Sequence, residues 1–177
     1  MKDWRKAIVD MYKVKQELMA CDKKKILSYH LPEVAASEEI LIEAEEQLGF
    51  KLDNGYRDFL TFANGWKGFY QTVDLFGTKE LKDLSLVECA KELIDVINKE
   101  GVIVSSGFKV EELYPIAATK FDKDIFVITK PDSSNPGIII WFAGEEIDRF
   151  QSFEEFFYSM IEYNKKTLEY LKKMNNI

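Results

Sequence analysis

Few side chains in this sequence are suited to nucleophilic or metal chemistry, and they stand far apart. His30 is the single histidine, while Cys21 and Cys89 are isolated and form no Cys-x-x-Cys pair. A zinc site needs about four nitrogen, sulfur or oxygen ligands, which these residues do not supply. A Cys–His nucleophile would require the fold to bring His30 to a cysteine, and no Gly-x-Ser-x-Gly motif marks a serine nucleophile. We therefore expect no catalytic residue and no metal site.

Carboxylates are plentiful, and one short segment alternates them as a binding loop would. Asp122-Lys123-Asp124 lacks the glycine and the final glutamate of a calcium-binding EF-hand loop, so we interpret it as an acidic turn before a strand. Glu43, Glu45 and Glu46 lie off the apolar stripe of a predicted helix, which indicates a solvated face. The sequence has no glycine-rich phosphate loop of either common kind, and it therefore predicts no cofactor.

The bulk composition is that of a folded domain with an acidic surface. Of 177 residues, 46% are apolar and 31% are charged, which fits one domain of ordinary size. The net charge of -7 repels nucleic-acid phosphates and attracts a basic protein, although it also serves solubility alone. The N-terminal segment lacks the apolar core of a signal peptide, and no run reaches the roughly 18 apolar residues of a membrane span. We expect no membrane contact and a cytoplasmic location, which suits unpaired thiols.

Apolar residues at helical spacing predict five helices. They run over residues 3–20, from Ser37 to a closing Gly49, over residues 54–63 after an Asp53 cap, over Leu84–Ile97, and from a Ser152 cap towards the C-terminus. The predicted stripe of the first helix is Trp4, Ile8, Met11, Leu18 and Met19, and that of the second is Ile40, Leu41, Ala44 and Leu48.

Alternating or continuous apolar runs predict the strands. They are Phe69–Phe76, Tyr114–Ala118, Asp124–Thr129, Ile138–Phe142 and Glu145–Phe150, with a further short strand possible at Val102–Val104. The loop 131–137 joins two of them as a hairpin. Segregated helices and consecutive strands predict an α+β fold with a central, mostly antiparallel sheet of about five to six strands. N-terminal helices and a long C-terminal helix flank this sheet.

The segment 55–71, GYRDFLTFANGWKGFYQ, has two interpretations. In the first, Gly65 ends a helix with a positive φ and Trp66 folds back, at least half-buried. In the second, Trp66, Phe69 and Tyr70 form an exposed loop that binds a partner, because aromatic anchors dominate interface energies. In that case we expect them to act together with the acidic turn that holds Asp122 and Asp124.

The segment 37–69, SEEILIEAEEQLGFKLDNGYRDFLTFANGWKGF, resembles the signature region of the SUKH superfamily, a group of cell-wall assembly regulators and bacterial immunity proteins. Further matching parts follow in order: Leu75-Phe76-Gly77, Pro115-Ile116-Ala117, the strands 124–129 and 138–142, and Ser152-Phe153-Glu154-Glu155-Phe156. The resemblance covers about residues 31–160 of a predicted single domain 1–177, with the helix 3–20 as an extension. Leu52-Asp53 departs from the usual Leu-Pro of the family, but Asp53 can cap the helix instead.

The resemblance implies an α+β domain without catalytic residues. Bacterial members are mostly immunity proteins for secreted polymorphic toxins, often nucleases, and fungal members regulate cell-wall synthesis. The leading hypothesis is a non-enzymatic cytoplasmic immunity protein that binds a cognate, basic toxin one to one. The alternatives are a regulatory or scaffolding module of the same fold, which binds a cell-wall or signalling partner, and a small-molecule-binding domain or hydrolase.

Overall fold

The computed structural model describes residues 3–83 and 88–175. One antiparallel sheet contains six strands in chain order: β1 (Trp66–Tyr70), β2 (Val73–Leu75), β3 (Leu113–Ala118), β4 (Ile125–Thr129), β5 (Ile139–Phe142) and β6 (Glu146–Phe150). The helices are α1 (Trp4–Cys21), α2 (Glu38–Leu48), α3 (Asn54–Leu60), α4 (Thr78–Lys82), α5 (Glu88–Lys99), α6 (Val102–Ser105) and α7 (Phe153–Met174). The predicted α+β class, with a six-stranded sheet and a long C-terminal helix, is confirmed.

Two adjacent strands, β4 and β5, are buried on both faces. Every residue of β4 and β5 is buried, which is why their sequences are continuous apolar runs and not alternating patterns. The pairing runs from Ile125 opposite Phe142 to Ile128 opposite Ile139. Helix α5 contacts β3 and β4, while α7 contacts β1 and β6. Helices therefore cover the sheet along much of its width.

Helix α7 supplies the main aromatic face of the core. Its N-cap Ser152 accepts a hydrogen bond from the backbone N–H of Glu155 at 3.2 Å, as its sequence pattern predicted. Helix α1 packs on α7, where the Trp4 ring meets Phe59 and Phe157 at centroid distances of 5.5 Å. The N-terminal helix thus belongs to the same core as the part of the chain that resembles the family.

The outer edge of β1 is covered by an irregular segment, residues 28–33, which we call the strap. The backbone N–H of Glu33 donates to the Gly65 carbonyl at 2.9 Å, and Trp66 Nε1 donates to the His30 carbonyl at 2.9 Å. A Cβ on Gly68 would lie 2.6 Å from the Ser28 carbonyl oxygen. The strap therefore sits directly against backbone that would otherwise be an open sheet edge.

Two strand predictions were wrong. The single strand Phe69–Phe76 is a hairpin, because β1 and β2 pair with Tyr70 opposite Val73 and the chain reverses at Gln71, which has a φ of 49°. A glutamine in the left-handed region gives no turn signal in the sequence. Val102–Val104 lies in helix α6, not in a short strand. Helix α4 was not predicted, since it is short and presents little periodicity.

The helix stripes also needed correction. Met19 is 47% exposed and Ile40 is 40% exposed, whereas Lys15 and Glu45 are each only 4% exposed. Glu45 is buried because it accepts hydrogen bonds from the Leu52 backbone N–H at 3.1 Å and from two basic side chains, those of Lys51 and Arg57. The helix predicted over Leu84–Ile97 begins at Glu88 as far as it is described, and residues 84–87 lie outside the described part of the chain.

Candidate functional site

The aromatic residues proposed as binding anchors lie in the core. Trp66 is 0%, Phe69 1% and Tyr70 7% exposed. The Phe69 ring packs against Phe156 and Phe157 of α7 at centroid distances of 5.8 and 5.4 Å. Between the two interpretations of this segment, the structure therefore favours the core. The rings of Trp66, Phe69 and Tyr70 offer a partner almost no accessible area.

Gly65 has the predicted positive φ, 97°, but for a different reason. Helix α3 ends at Leu60, so Gly65 is not its closing glycine. Gly65 lies instead against the end of the β1–β2 hairpin, where its Cβ would approach the Gly77 nitrogen to 2.7 Å. The glycine is required by this close approach of two backbone segments as well as by its φ.

Side chains around this approach hold the two backbone segments together. Asn64 Nδ2 donates to Thr78 Oγ1 at 3.0 Å, and Asn64 Oδ1 accepts from the Thr78 backbone N–H at 2.8 Å. A Cβ on Gly77 would lie 2.1 Å from the Asn64 carbonyl oxygen. We call these four residues, Asn64, Gly65, Gly77 and Thr78, the signature lock. It ties the end of the α3 segment to the start of α4.

A groove of about 570 Å³ runs beside the signature lock. Its polar lining carries both signs of charge: Glu33, Lys67, Asp74, Lys79 and Glu80. Two of these acids are engaged locally, since Asp74 accepts from the Gly68 backbone N–H at 2.7 Å and Glu80 from that of Gly77 at 3.1 Å. The groove therefore has no strong preference for one charge of ligand.

A second candidate surface lies at one end of the sheet. Because the strands are antiparallel and in chain order, the turn 71–72, the loop 119–124 and the turn 143–145 all lie at that end. Thr72 Oγ1 is 2.9 Å from Thr119 Oγ1, and a Cβ on Gly144 would lie 3.9 Å from Lys123 Cδ. These contacts join the three connections into one surface, which we call the sheet-end surface.

The sheet-end surface brings the two predicted carboxylates together. Asp124 is half-buried and accepts a hydrogen bond from Trp141 Nε1 at 2.7 Å. Burial raises the pKa of the Asp124 carboxyl; the Trp141 bond opposes this shift, and the charge of Asp122 adds to it. Asp122 is exposed and accepts from the Lys123 backbone N–H at 2.8 Å. In the described part of the chain, neither carboxylate has a basic side chain as an ion-pair partner.

Trp141, which bonds to Asp124, belongs to a cluster of aromatic rings. Trp141 contacts Tyr70 at a centroid distance of 5.5 Å and Tyr163 at 5.2 Å, both edge to face. The Tyr163 hydroxyl donates to Asp148 Oδ2 at 2.7 Å. Of the three predicted aromatic residues, only Tyr70 lies in this cluster. Trp66 instead bonds the strap, and Phe69 packs on α7.

Sequence reasoning missed Phe121, which lies between Lys120 and Asp122. The side chain is 72% exposed, and Lys120 Nζ lies 5.3 Å from its ring centroid. A lone aromatic residue in the polar run TKFDKD was the available signal, since large apolar residues that stay exposed in a charged loop often contact a partner. Whether Asp122 and Asp124 contact a partner stays a prediction.

The described residues form neither a metal-binding cluster nor a membrane-spanning helix. Within residues 3–83 and 88–175, no group of three His, Cys, Asp or Glu side chains is placed to hold a metal ion. Over those ranges, no helix combines the length and the apolar character needed to cross a bilayer.

The comparisons with known proteins identify the family. The model of the SMI1 / KNR4 family (SUKH-1) matches residues 35–159, which is more than half of the chain. No curated protein matches the chain. The matched segment begins just before α2 and continues through the signature lock and the sheet to the first turns of α7. The chain therefore belongs to the SMI1 / KNR4 family (SUKH-1), as the order of motifs in its sequence predicted.

Proposed function

We propose that this protein is a non-enzymatic immunity protein that binds one cognate, basic toxin in the cytoplasm and neutralises it by occupancy. A nuclease is the expected toxin, because an enzyme that binds phosphates has a basic cleft. Neutralisation needs no cofactor, nucleic acid or membrane. The family resemblance supports the type of function, and the surface chemistry supports the type of partner.

One observation carries the proposal: the sheet-end surface keeps Asp122 and Asp124 together, and among the described residues neither has an ion-pair partner. Burial makes the charged form of Asp124 unfavourable, as its raised pKa indicates. A lysine or arginine from a partner would relieve this cost and gain a charge-assisted hydrogen bond. Exposed Phe121 beside the carboxylates offers apolar area to the same partner.

The overall charge of the protein favours the same kind of partner. A net charge of -7 attracts a basic surface over the range of the screened field, which is about 8 Å at physiological salt. Electrostatic attraction of this kind mainly raises the association rate and weakens as salt increases. We therefore expect the association rate to fall with ionic strength while dissociation changes less.

Co-expression tests the proposal directly. The toxin encoded beside this gene is expressed with the wild-type protein, with Asp122→Asn/Asp124→Asn, and with a control, Glu46→Gln/Glu92→Gln. The control removes the same charge from α2 and α5. We expect the wild type and the control to restore growth and to capture the toxin, and the sheet-end variant to do both poorly.

Two results would contradict the proposal in different ways. Full toxicity with no captured complex would remove the immunity function and favour the regulatory module. Equal protection by all three proteins would keep the immunity function but move the contact away from the sheet-end surface.

A further inference from the structure

Lys15 occupies a position where a charged side chain is not expected. It lies on the apolar stripe of α1, four residues after Met11, and is only 4% exposed. Its Nζ donates a hydrogen bond to the Gly68 carbonyl of β1 and lies 5.7 Å from the centroid of the Tyr29 ring. The ammonium group therefore lies between its own helix α1, the edge strand β1 and Tyr29 of the strap.

This buried cation has no counter-ion among the described residues. The carboxylate of Asp22, which is on the far side of Tyr29 in this chain of contacts, accepts hydrogen bonds from the Leu27 backbone N–H at 2.9 Å and the Tyr29 hydroxyl at 3.3 Å. Glu17 is paired with Lys172 at 3.0 Å. An ammonium has three donors, and the Gly68 carbonyl accepts from one. Burial without a compensating charge lowers the pKa of Lys15 to about 8.

A small pocket opens onto Lys15 from the surface. It has a volume of about 120 Å³, several times the roughly 10–15 Å³ that a cavity needs to hold one water molecule, so a carboxyl group with a few carbons would fit. Gln16 and His30 line it with polar groups. The apolar part of its lining is exposed, since Tyr12, Met19 and Leu31 are 36, 47 and 66% accessible.

We propose that this Lys15 pocket binds a single carboxylate carried on a short apolar body. The carboxylate would accept the free donors of the ammonium, and the apolar body would lie among Tyr12, Met19 and Leu31. Exposed Lys23, Lys24 and Lys25 follow α1 and add positive potential for an approaching anion. The source is either the C-terminal carboxylate of a peptide or a small free acid. The site is separate from the sheet-end surface and does not rest on the proposed function.

Acetate is the first probe, with acetamide as its uncharged counterpart. Backbone amide shifts of the full chain are followed by NMR at pH 7 and constant ionic strength. We expect acetate to shift residues around Lys15 saturably, with a dissociation constant of roughly 10 mM for so small a ligand. Acetamide, which has the same shape without the charge, is expected to leave them unchanged.

Two variants of α1 locate the effect. Lys15→Met removes the buried ammonium, and Lys13→Met removes an exposed lysine that pairs with Asp10 on the same helix at 3.8 Å. We expect Lys15→Met to weaken acetate binding at least tenfold and Lys13→Met to leave it intact. Equal binding of acetate and acetamide to the wild type would overturn the proposal without any variant. So would full acetate binding by Lys15→Met, since Lys15 would then only brace β1.

A further pair of probes separates the sources. A short peptide that ends in leucine is compared as its free acid and as its C-terminal amide. Tighter binding of the free acid than of acetate, with loss in the amide, assigns the pocket to a chain terminus. No gain over acetate assigns it to a small free acid, and no saturable shift with either acid refutes the site.

Discussion

The signature lock and the sheet-end surface are both built from polar connections, yet they are opposite in how their polar groups are satisfied. In the lock, both polar atoms of the Asn64 side chain bond to Thr78, and the glycines are buried against backbone. At the sheet end, Asp122 and Asp124 have no basic partner within the described chain, and Phe121 is exposed. The signature-lock residues, which identify the family, stabilise the fold. The sheet-end residues, which suit a partner, lie in connections where the fold constrains the side chains less.

Gly77→Ala should destabilise the signature lock more than any other substitution considered below. The added Cβ would lie 2.1 Å from the Asn64 carbonyl oxygen, and this neighbour is backbone that cannot swing away. We expect a loss of about 3 kcal/mol or more in unfolding free energy, measured by urea denaturation. Gly55→Ala is the control. Its added Cβ would meet Asp53 Oδ1 at 3.2 Å, which is a side-chain atom and not backbone, and alanine favours the helix. Similar stability of both variants would mean that the lock is not rigid.

Asn64→Ala tests the side-chain half of the lock. It removes two hydrogen bonds and leaves the Thr78 backbone N–H without its acceptor. We expect a loss of about 2 kcal/mol in unfolding free energy, because an unsatisfied donor costs more than the bond contributed. Thr61→Ala serves as a comparison, since its hydroxyl bonds only to the carbonyl of Asp58 at an exposed site. An equal effect of the two would remove the distinction between lock and surface.

Asp124→Asn is expected to act in the opposite direction. Because burial raises the pKa of Asp124 in the folded protein, the folded state binds more protons than the unfolded state between the two pKa values. Stability therefore falls as pH rises through the folded pKa. At pH 7 the asparagine variant should be more stable, by less than about 1 kcal/mol given partial exposure. This advantage should vanish near pH 3, and a destabilised variant at pH 7 would contradict the assignment.

Phe121→Ala should have the smallest effect on stability. The ring is 72% exposed, so we expect a change within about 0.5 kcal/mol by urea denaturation. Toxin binding should nevertheless weaken by about 2 kcal/mol if Phe121 is an anchor of the interface. Tyr170→Ala, an exposed aromatic residue on α7, is the matched control. If the Phe121→Ala variant lost stability but kept toxin binding, Phe121 would have a structural role like that of the lock residues.

Much of the fold was predictable because local signals agreed with the tertiary structure. The caps at Ser37, Asp53 and Ser152 all accept the expected backbone hydrogen bonds, and the two apolar runs β4 and β5 form adjacent, paired strands of the sheet. The β1–β2 turn was not predictable, since only strand pairing places Gln71 at a positive φ.

The candidate sites were less accessible to sequence reasoning. The acidic turn at Asp122 and Asp124 was visible as a composition pattern, but its proximity to Tyr70 depends on the order of strands in the sheet. Lys15 stands at stripe spacing, yet the predicted stripe did not include it, and lysine is rarely buried. Two features accommodate the buried Lys15 ammonium: its hydrogen bond to the Gly68 carbonyl, and the strap, which packs against Gly68.

The contact between α1 and α7 has a consequence for the time course of synthesis. Each strand of the sheet pairs with the next one along the chain, so pairing can proceed as the chain emerges from the ribosome. Helix α1 is made before the strands, but Trp4 also packs against Phe153 and Phe157 of α7, which follows the last strand. Until α7 has been made, only contacts with earlier parts of the chain, such as that of Trp4 with Phe59, can cover the apolar stripe of α1. We expect the docking of α1 on α7 to follow the synthesis of all six strands.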